Sequence, residues 1–171
     1  LWRNRKLFRF FWRLIMRRKI IGTKDFQGAV DVTDPCYSRN VWCRMNNISI
    51  KKGLYTCIAW YHTEKFSVNE QSYTEKHVGI LGIYLNGIIP PQKSMEEIGS
   101  IGVDAGLAGF FHNKPDYSDD EWSRFCDSIA KGSVWLTEEG FYSFSGYGDG
   151  CYGVYAQKSD NEIVALEIRF I

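Results

Sequence analysis

In the stretch LYTCIAWYHT, residues 54–63, Tyr55, Cys57, Ala59 and Tyr61 alternate with Leu54, Thr56, Ile58 and Trp60. A strand that is apolar on both faces belongs in the middle of a sheet, covered from two sides. HVGILGIYLNG (77–87) has the same character and closes on Asn86-Gly87, a turn pair. GAVDVTD (28–34) alternates until Pro35, which ends a strand or confines it to an edge. NISI and LYTC flank KKG, a short turn with Gly53 available for a positive φ. IIPPQKSMEEIGS (88–100) reads as a loop with one helical turn near Ser94.

Helical spacing is clearest at 118–131, SDDEWSRFCDSIAK. Ser118 and Glu121 form an S-x-x-E capping box, and acids crowd the N-terminus where the helix dipole favours them. Trp122, Phe125, Cys126 and Ile129 make one apolar stripe, and Gly132 supplies a C-cap. SVWLTEEGFYSFSG, CYGVYAQ and NEIVALEIRFI then read as a closing antiparallel meander, the last two joined by KSDN. The expected fold is mainly β (α+β): an antiparallel sheet, as a sandwich or half-closed barrel, with one helix packed on it near 118–131. No linker or low-complexity stretch interrupts 20–171, which reads as a single globular domain. A faint internal echo, QGAVDVTD (27–34) against AGLAGFFH (105–112), suggests similar strands in two halves of that domain.

Charge separates the front of the chain from the rest. Residues 1–19 hold eight basic residues and no acid, leaving thirteen basic against twenty acidic residues in the body. The overall +1 therefore hides an acidic body with no electrostatic reason to bind nucleic acid. At helical spacing Leu7, Phe8, Phe11, Trp12, Leu14 and Ile15 fall on one side, and Arg5, Lys6, Arg9, Arg13 and Arg17 on the other. That is the pattern of a helix lying on a membrane surface. Two other readings stand beside it: a solvated or nucleic-acid-touching tail, or a native start at Met16, since Leu opens the chain and RRKIIGTKDF follows Met16. Arg9 and Arg13 break the apolar run, so no membrane span or signal-peptide core is expected. Five cysteines without a C-x-x-C pair argue against a disulfide framework and a zinc knuckle. The expected location is cytoplasmic, peripheral to the membrane if residues 1–19 touch lipid.

Gly148, Gly150 and Gly153 spell a G-x-G-x-x-G inside FSGYGDGCYGVYAQ (144–157). A dinucleotide fingerprint needs a helix after these glycines, because its N-terminus binds the pyrophosphate. Here strand-like residues follow, so the glycines read as a tight turn between strands of the C-terminal hairpin. A carboxylate site is the stronger candidate chemistry. Asp34, Asp104 and Asp149, with Asp31 near Asp34, would suit Ca²⁺ or Mg²⁺, or acid and base roles, if they converge. Against this, Asp before Pro and Asp between glycines are ordinary turn chemistry. Cys36 paired with His62, His77 or His112 would make a thiol–imidazole site, but no local signature supports it. The histidines lack metal-ligand spacing.

DVTDPCYS (31–38), GVDAGLAGFF (102–111) and SGYGDGCYGVYAQKSDNEIVALEIRF (145–170) resemble a family of uncharacterised bacterial and phage proteins. That family is marked by D-P-C-Y, a V-D-S-G-Q strand and a C-terminal G-Y-G-D-G-x-Y-x-V-Y hairpin. The likeness runs from about Phe26 to Ile171. Ala105 and Leu107 stand where the family has Ser and Gln, removing two polar groups. The resemblance is uninformative about activity; Asp34, Tyr37, Asp104, Asp149 and Tyr152 are the candidate ligand-binding residues, and the catalytic residues are unknown. The expected function is a non-enzymatic binding or interaction domain, without a cofactor, engaging a protein or small molecule. The alternative is a metal-dependent hydrolase using the clustered aspartates with Ca²⁺ or Mg²⁺.

Overall fold

A computed structural model of the chain describes residues 16–171. Two antiparallel sheets face each other, and neither closes into a barrel. The six-stranded sheet contains β1 (Arg17–Phe26), β4 (Gly53–Val68), β5 (Gln71–Leu85), β6 (Glu96–Val103), β10 (Gly150–Ser159) and β11 (Glu162–Arg169). Its order is β1-β4-β5-β11-β10-β6. The five-stranded sheet contains β2 (Ala29–Thr33), β3 (Met45–Ser49), β7 (Leu107–Phe111), β8 (Val134–Leu136) and β9 (Gly140–Phe144), in the order β3-β2-β7-β9-β8. A 3-10 turn at Gln92–Ser94 precedes β6, at the position expected near Ser94.

The two-sided apolar pattern of β4 and β5 has its expected consequence. Tyr55, Cys57, Leu81 and Ile83 point into the core between the sheets, where they meet Val32, Phe110, Phe141, Leu166 and Ile168. Ile58, Trp60, Ile80 and Tyr84 point the other way into a second apolar cluster. The helix α1 (Asp119–Ser128) carries the expected capping box and lays Phe125 and Ile129 against Leu107, Phe111 and Tyr142. It therefore covers the outside of the five-stranded sheet. It ends at Ser128, with Ile129 as its C-cap, earlier than expected. Gly132, at φ +116°, serves the turn into β8 beneath the Trp135 indole rather than the helix cap.

The strands forming the internal echo are neighbours: β2 pairs with β7, with Val32 opposite Phe110 and Thr33 opposite Gly109. The chain order misleads elsewhere. β3 and β4 flank KKG but belong to different sheets, so that turn is a crossing and not a hairpin. The closing meander is likewise split, because β8 and β9 lie in one sheet and β10 and β11 in the other. Two edge strands escape the periodicity. In β1 the exposed Arg17, Arg18 and Lys19 (the end of the basic arm) mask the alternation, and in β6 two acids and two glycines do. Charged edges of this kind discourage pairing with other chains. Residues 1–15, where most of the basic arm falls, lie outside the described residues.

β4 and β5 also run beyond their sheet. Their register continues from His62 opposite His77 to Val68 opposite Gln71, forming a two-stranded ribbon with exposed residues along its length. Asn69 and Glu70, both at positive φ, make its tip. Phe66 and Tyr73 stack across it at 5.6 Å, the cross-strand pairing that stabilises an isolated ribbon.

Candidate functional site

Pro35 ends β2, and the chain leaves the sheet with Asp34 wholly buried behind it. The Asp34 carboxylate accepts the backbone N–H of Cys36 at 2.9 Å, of Asp104 at 2.8 Å and of Ala105 at 2.7 Å. One side chain thus stitches the D-P-C-Y turn to the V-D-A-G turn. The third motif joins them through Ser145, whose N–H donates to the Gly106 carbonyl at 2.9 Å. Ser145 Oγ and the Tyr152 hydroxyl both donate to the Gly148 carbonyl. Gly150 lies opposite Val103, so Asp149 and Asp104 adjoin one cross-strand pair at one end of the sandwich.

The glycines serve the crossing from β9 to β10. Gly146 and Gly148 take φ of +76° and +81°, and a Cβ on Gly146 would lie 2.3 Å from the Val78 carbonyl oxygen. Gly150 and Gly153 are already strand residues. The expectation that these glycines turn the C-terminal hairpin is therefore corrected. That hairpin turns at Asp160 and Asn161, where φ is +52° and +66°.

This end of the molecule is built to hold backbone. Asp34 is sealed, Tyr37 and Tyr152 are half-buried, and Asp104 and Asp149 are exposed. Among the described residues, no three His, Cys, Asp or Glu side chains form a group able to hold a metal ion. Burial, then the charge and hydrogen bond of Asp34, push the Cys36 thiol up to about 12. A thiol so held stays protonated and is a poor nucleophile. Burial, and then the neighbouring Cys43, likewise raise the Tyr37 hydroxyl. Two of the histidines sit at the root of the ribbon. The His77 ring stacks on Tyr147 at 5.2 Å, and His62 Nδ1 lies 3.3 Å from the Tyr147 hydroxyl. Tyr147 itself donates to Glu64 at 2.6 Å. His112 is exposed beyond the end of β7.

Asp31 organises a second buried network three residues earlier. Its carboxylate accepts the N–H of Asn47 at 2.7 Å and of Lys114 at 2.9 Å, and the Arg44 guanidinium at 3.3 Å. Arg44 is itself sealed, donating to Asn46 Oδ1 and to the Tyr37 carbonyl. Lys114, 1% exposed, donates its ammonium to the Pro115 carbonyl and lies 3.5 Å from the centre of the Tyr117 ring. Burial, then the positive charge of Arg44, pull its pKa down to about 8.

Tyr117 connects this network to an open cleft of about 520 Å³ between α1 and the turn joining β8 to β9. Phe125 and Tyr142 form its floor, with ring centres 5.3 Å apart. Tyr117 closes one end and donates its hydroxyl to the Glu139 carboxylate. Burial, then that carboxylate, raise the Tyr117 pKa. Glu121, Glu138 and Glu139 line the walls against a single guanidinium, Arg124. Glu121 also closes the capping box through the Ser118 N–H and hydroxyl. From β1, Lys24 donates to the Thr137 and Glu138 carbonyls at 2.9 and 2.8 Å, so this turn already attracts one ammonium.

None of the candidate residues read from sequence lines this cleft. Its only sequence signal is the acid pair in TEEG, residues 137–140, together with the aromatic stripe of the helix. Among the described residues, no helix is long and apolar enough to cross a membrane. Compared with protein-family models, with curated proteins and with solved structures, the sequence finds no match in any of the three.

Proposed function

We propose that the protein is a non-enzymatic binding domain whose cleft beneath α1 receives a basic side chain of a protein partner. The cleft itself carries this reading: an open space of about 520 Å³ with an aromatic floor and three carboxylates against one guanidinium. Aromatic faces attract a guanidinium or ammonium, and carboxylates at the rim fix its orientation. The polar groups at the Asp34 end offer less to a ligand, because the Asp34 carboxylate already accepts three backbone N–H groups.

The test is an NMR titration of the ¹⁵N-labelled chain with N-acetyl-arginine methylamide, with N-acetyl-glutamate methylamide as the control. The arginine compound should shift amides of Phe125, Glu139 and Tyr142, and Glu139→Gln should weaken the response. Equal shifts with both compounds, or none at these residues at tens of millimolar, would overturn the assignment.

A further inference from the structure

We infer that the chain has a second binding site, for a small uncharged ring bearing one hydrogen-bond donor, between the turn after β5 and the β10–β11 hairpin. A β-bulge makes the room. The pairing of β10 with β11 passes from Gln157 opposite Ala165 to Lys158 opposite Ile163, so Val164 is an extra residue on its strand. The pairing of β5 with β11 stops at Tyr84 opposite Ala165. Beyond it Asn86 and Gly87, at φ of +52° and +72°, turn the chain. Leu85, Ile88, Pro90 and Val164 are left around a pocket of about 250 Å³. Ile88 is 72% exposed, so a large apolar side chain stands in water at this wall. An occupant that covered it would gain the free energy of that burial.

Gln157, also on the wall, sets the chemistry. Its Nε2 donates to the Lys158 carbonyl at 2.7 Å, which fixes which end of the amide is the acceptor. That acceptor, Oε1, is buried, and no described residue donates to it. A buried acceptor without a donor costs free energy, and a ligand N–H or O–H restores the bond. The rim selects against charge. Lys51 meets Glu162 at 3.5 Å, so ammonium and carboxylate answer each other and leave no net charge to hold an ion. Size narrows the class further. The pocket has the volume of about eight waters, which suits a molecule of roughly nine non-hydrogen atoms. An indole has that size, an apolar body, and one N–H donor with no acceptor beside it. A neutral ring of this kind has no use for the carboxylates of the cleft beneath α1, so the two sites take different ligands.

The ¹⁵N-labelled full chain is titrated with indole, and separately with 1-methylindole, which has the same ring and no donor. Indole should shift the amides of Leu85, Ile88 and Val164 and the side-chain NH₂ of Gln157. It should bind about fivefold more tightly than 1-methylindole. Gln157→Met keeps the length of the side chain and loses the acceptor, so it should erase that preference and leave the affinity for 1-methylindole unchanged. Equal affinities of the two compounds for wild type would overturn the inference, whether or not the variant folds. So would shifts centred on Phe125 and Tyr142 in the cleft beneath α1, or no shifts up to the solubility limit of indole. A Gln157→Met chain that keeps the full preference for indole would overturn it too.

Discussion

Asp34 and Glu139 are both carboxylates at the ends of strands in the five-stranded sheet, one just after β2 and one just before β9. Asp34 is wholly buried and accepts three backbone N–H groups, so its charge is committed to shaping two turns. Glu139 is exposed, receives the Tyr117 hydroxyl and faces an open cleft. The contrast teaches which polar groups a ligand can recruit. A buried carboxylate saturated by backbone cannot turn to a ligand without unmaking the fold. An exposed one held in place by a neighbour can.

The largest test of this contrast is Asp34→Ala, which leaves three donors without their acceptor. Urea denaturation should show a loss on the order of 4 kcal/mol, with a smaller loss for Asp34→Asn. A loss below about 1 kcal/mol would erase the distinction between the two ends. Next comes Lys114, buried beneath Tyr117. Its folded pKa, about 8, lies below the unfolded value, so between roughly pH 8 and 10 the unfolded chain binds more protons. Its contribution to stability therefore rises with pH across that window. The stability of wild type minus that of Lys114→Met should climb by up to about 2 kcal/mol, read from denaturation curves at each pH. A flat difference would remove Lys114 from the buried network.

Ser118→Ala removes the capping box from the helix wall of the cleft and should cost about 1 kcal/mol by the same method. Tyr117→Phe should have the smallest effect on stability, within about 1 kcal/mol, because its hydroxyl bonds an exposed carboxylate. It should nonetheless alter the arginine titration severalfold, since Glu139 loses the group that orients it. An unchanged titration would show that Glu139 needs no such support.

Where strands are apolar on both faces or alternate cleanly, the periodicity located them: β2, and the halves of β4 and β5 that lie within the sheet, while their exposed ribbon from Glu64 to Lys76 carries no such pattern and was missed. The capping box likewise placed the start of α1 at Ser118. The edge strands β1 and β6 were hidden because an edge lacks a second covered side, and its charges follow solvent rather than the pleat. Sheet membership was hidden for a different reason. KKG and the glycine stretch both look like hairpin turns, yet both carry the chain from one sheet to the other. Local turn chemistry fixes the bend and leaves the pairing partner open. The convergence of D-P-C-Y, V-D-A-G and G-D-G was anticipated as a question about carboxylates, and its answer lies in backbone amides that no side-chain pattern records. The cleft was the least legible of all. Its residues come from a helix, a strand and a turn whose meeting is a property of the tertiary fold.

β11 is the last described strand to be synthesised, yet it lies inside the six-stranded sheet, between β5 and β10. Leu166 there lies opposite Ile83, and Ile168 opposite Leu81. Until β11 leaves the ribosome, β5 presents Ile80 to Tyr84 as an unpaired apolar seam, open to mispairing or to capture by a chaperone. The sheet cannot be assembled from front to back; its middle arrives last. A nascent chain stalled before Glu162 would be left with that seam open, however complete the rest of the sequence.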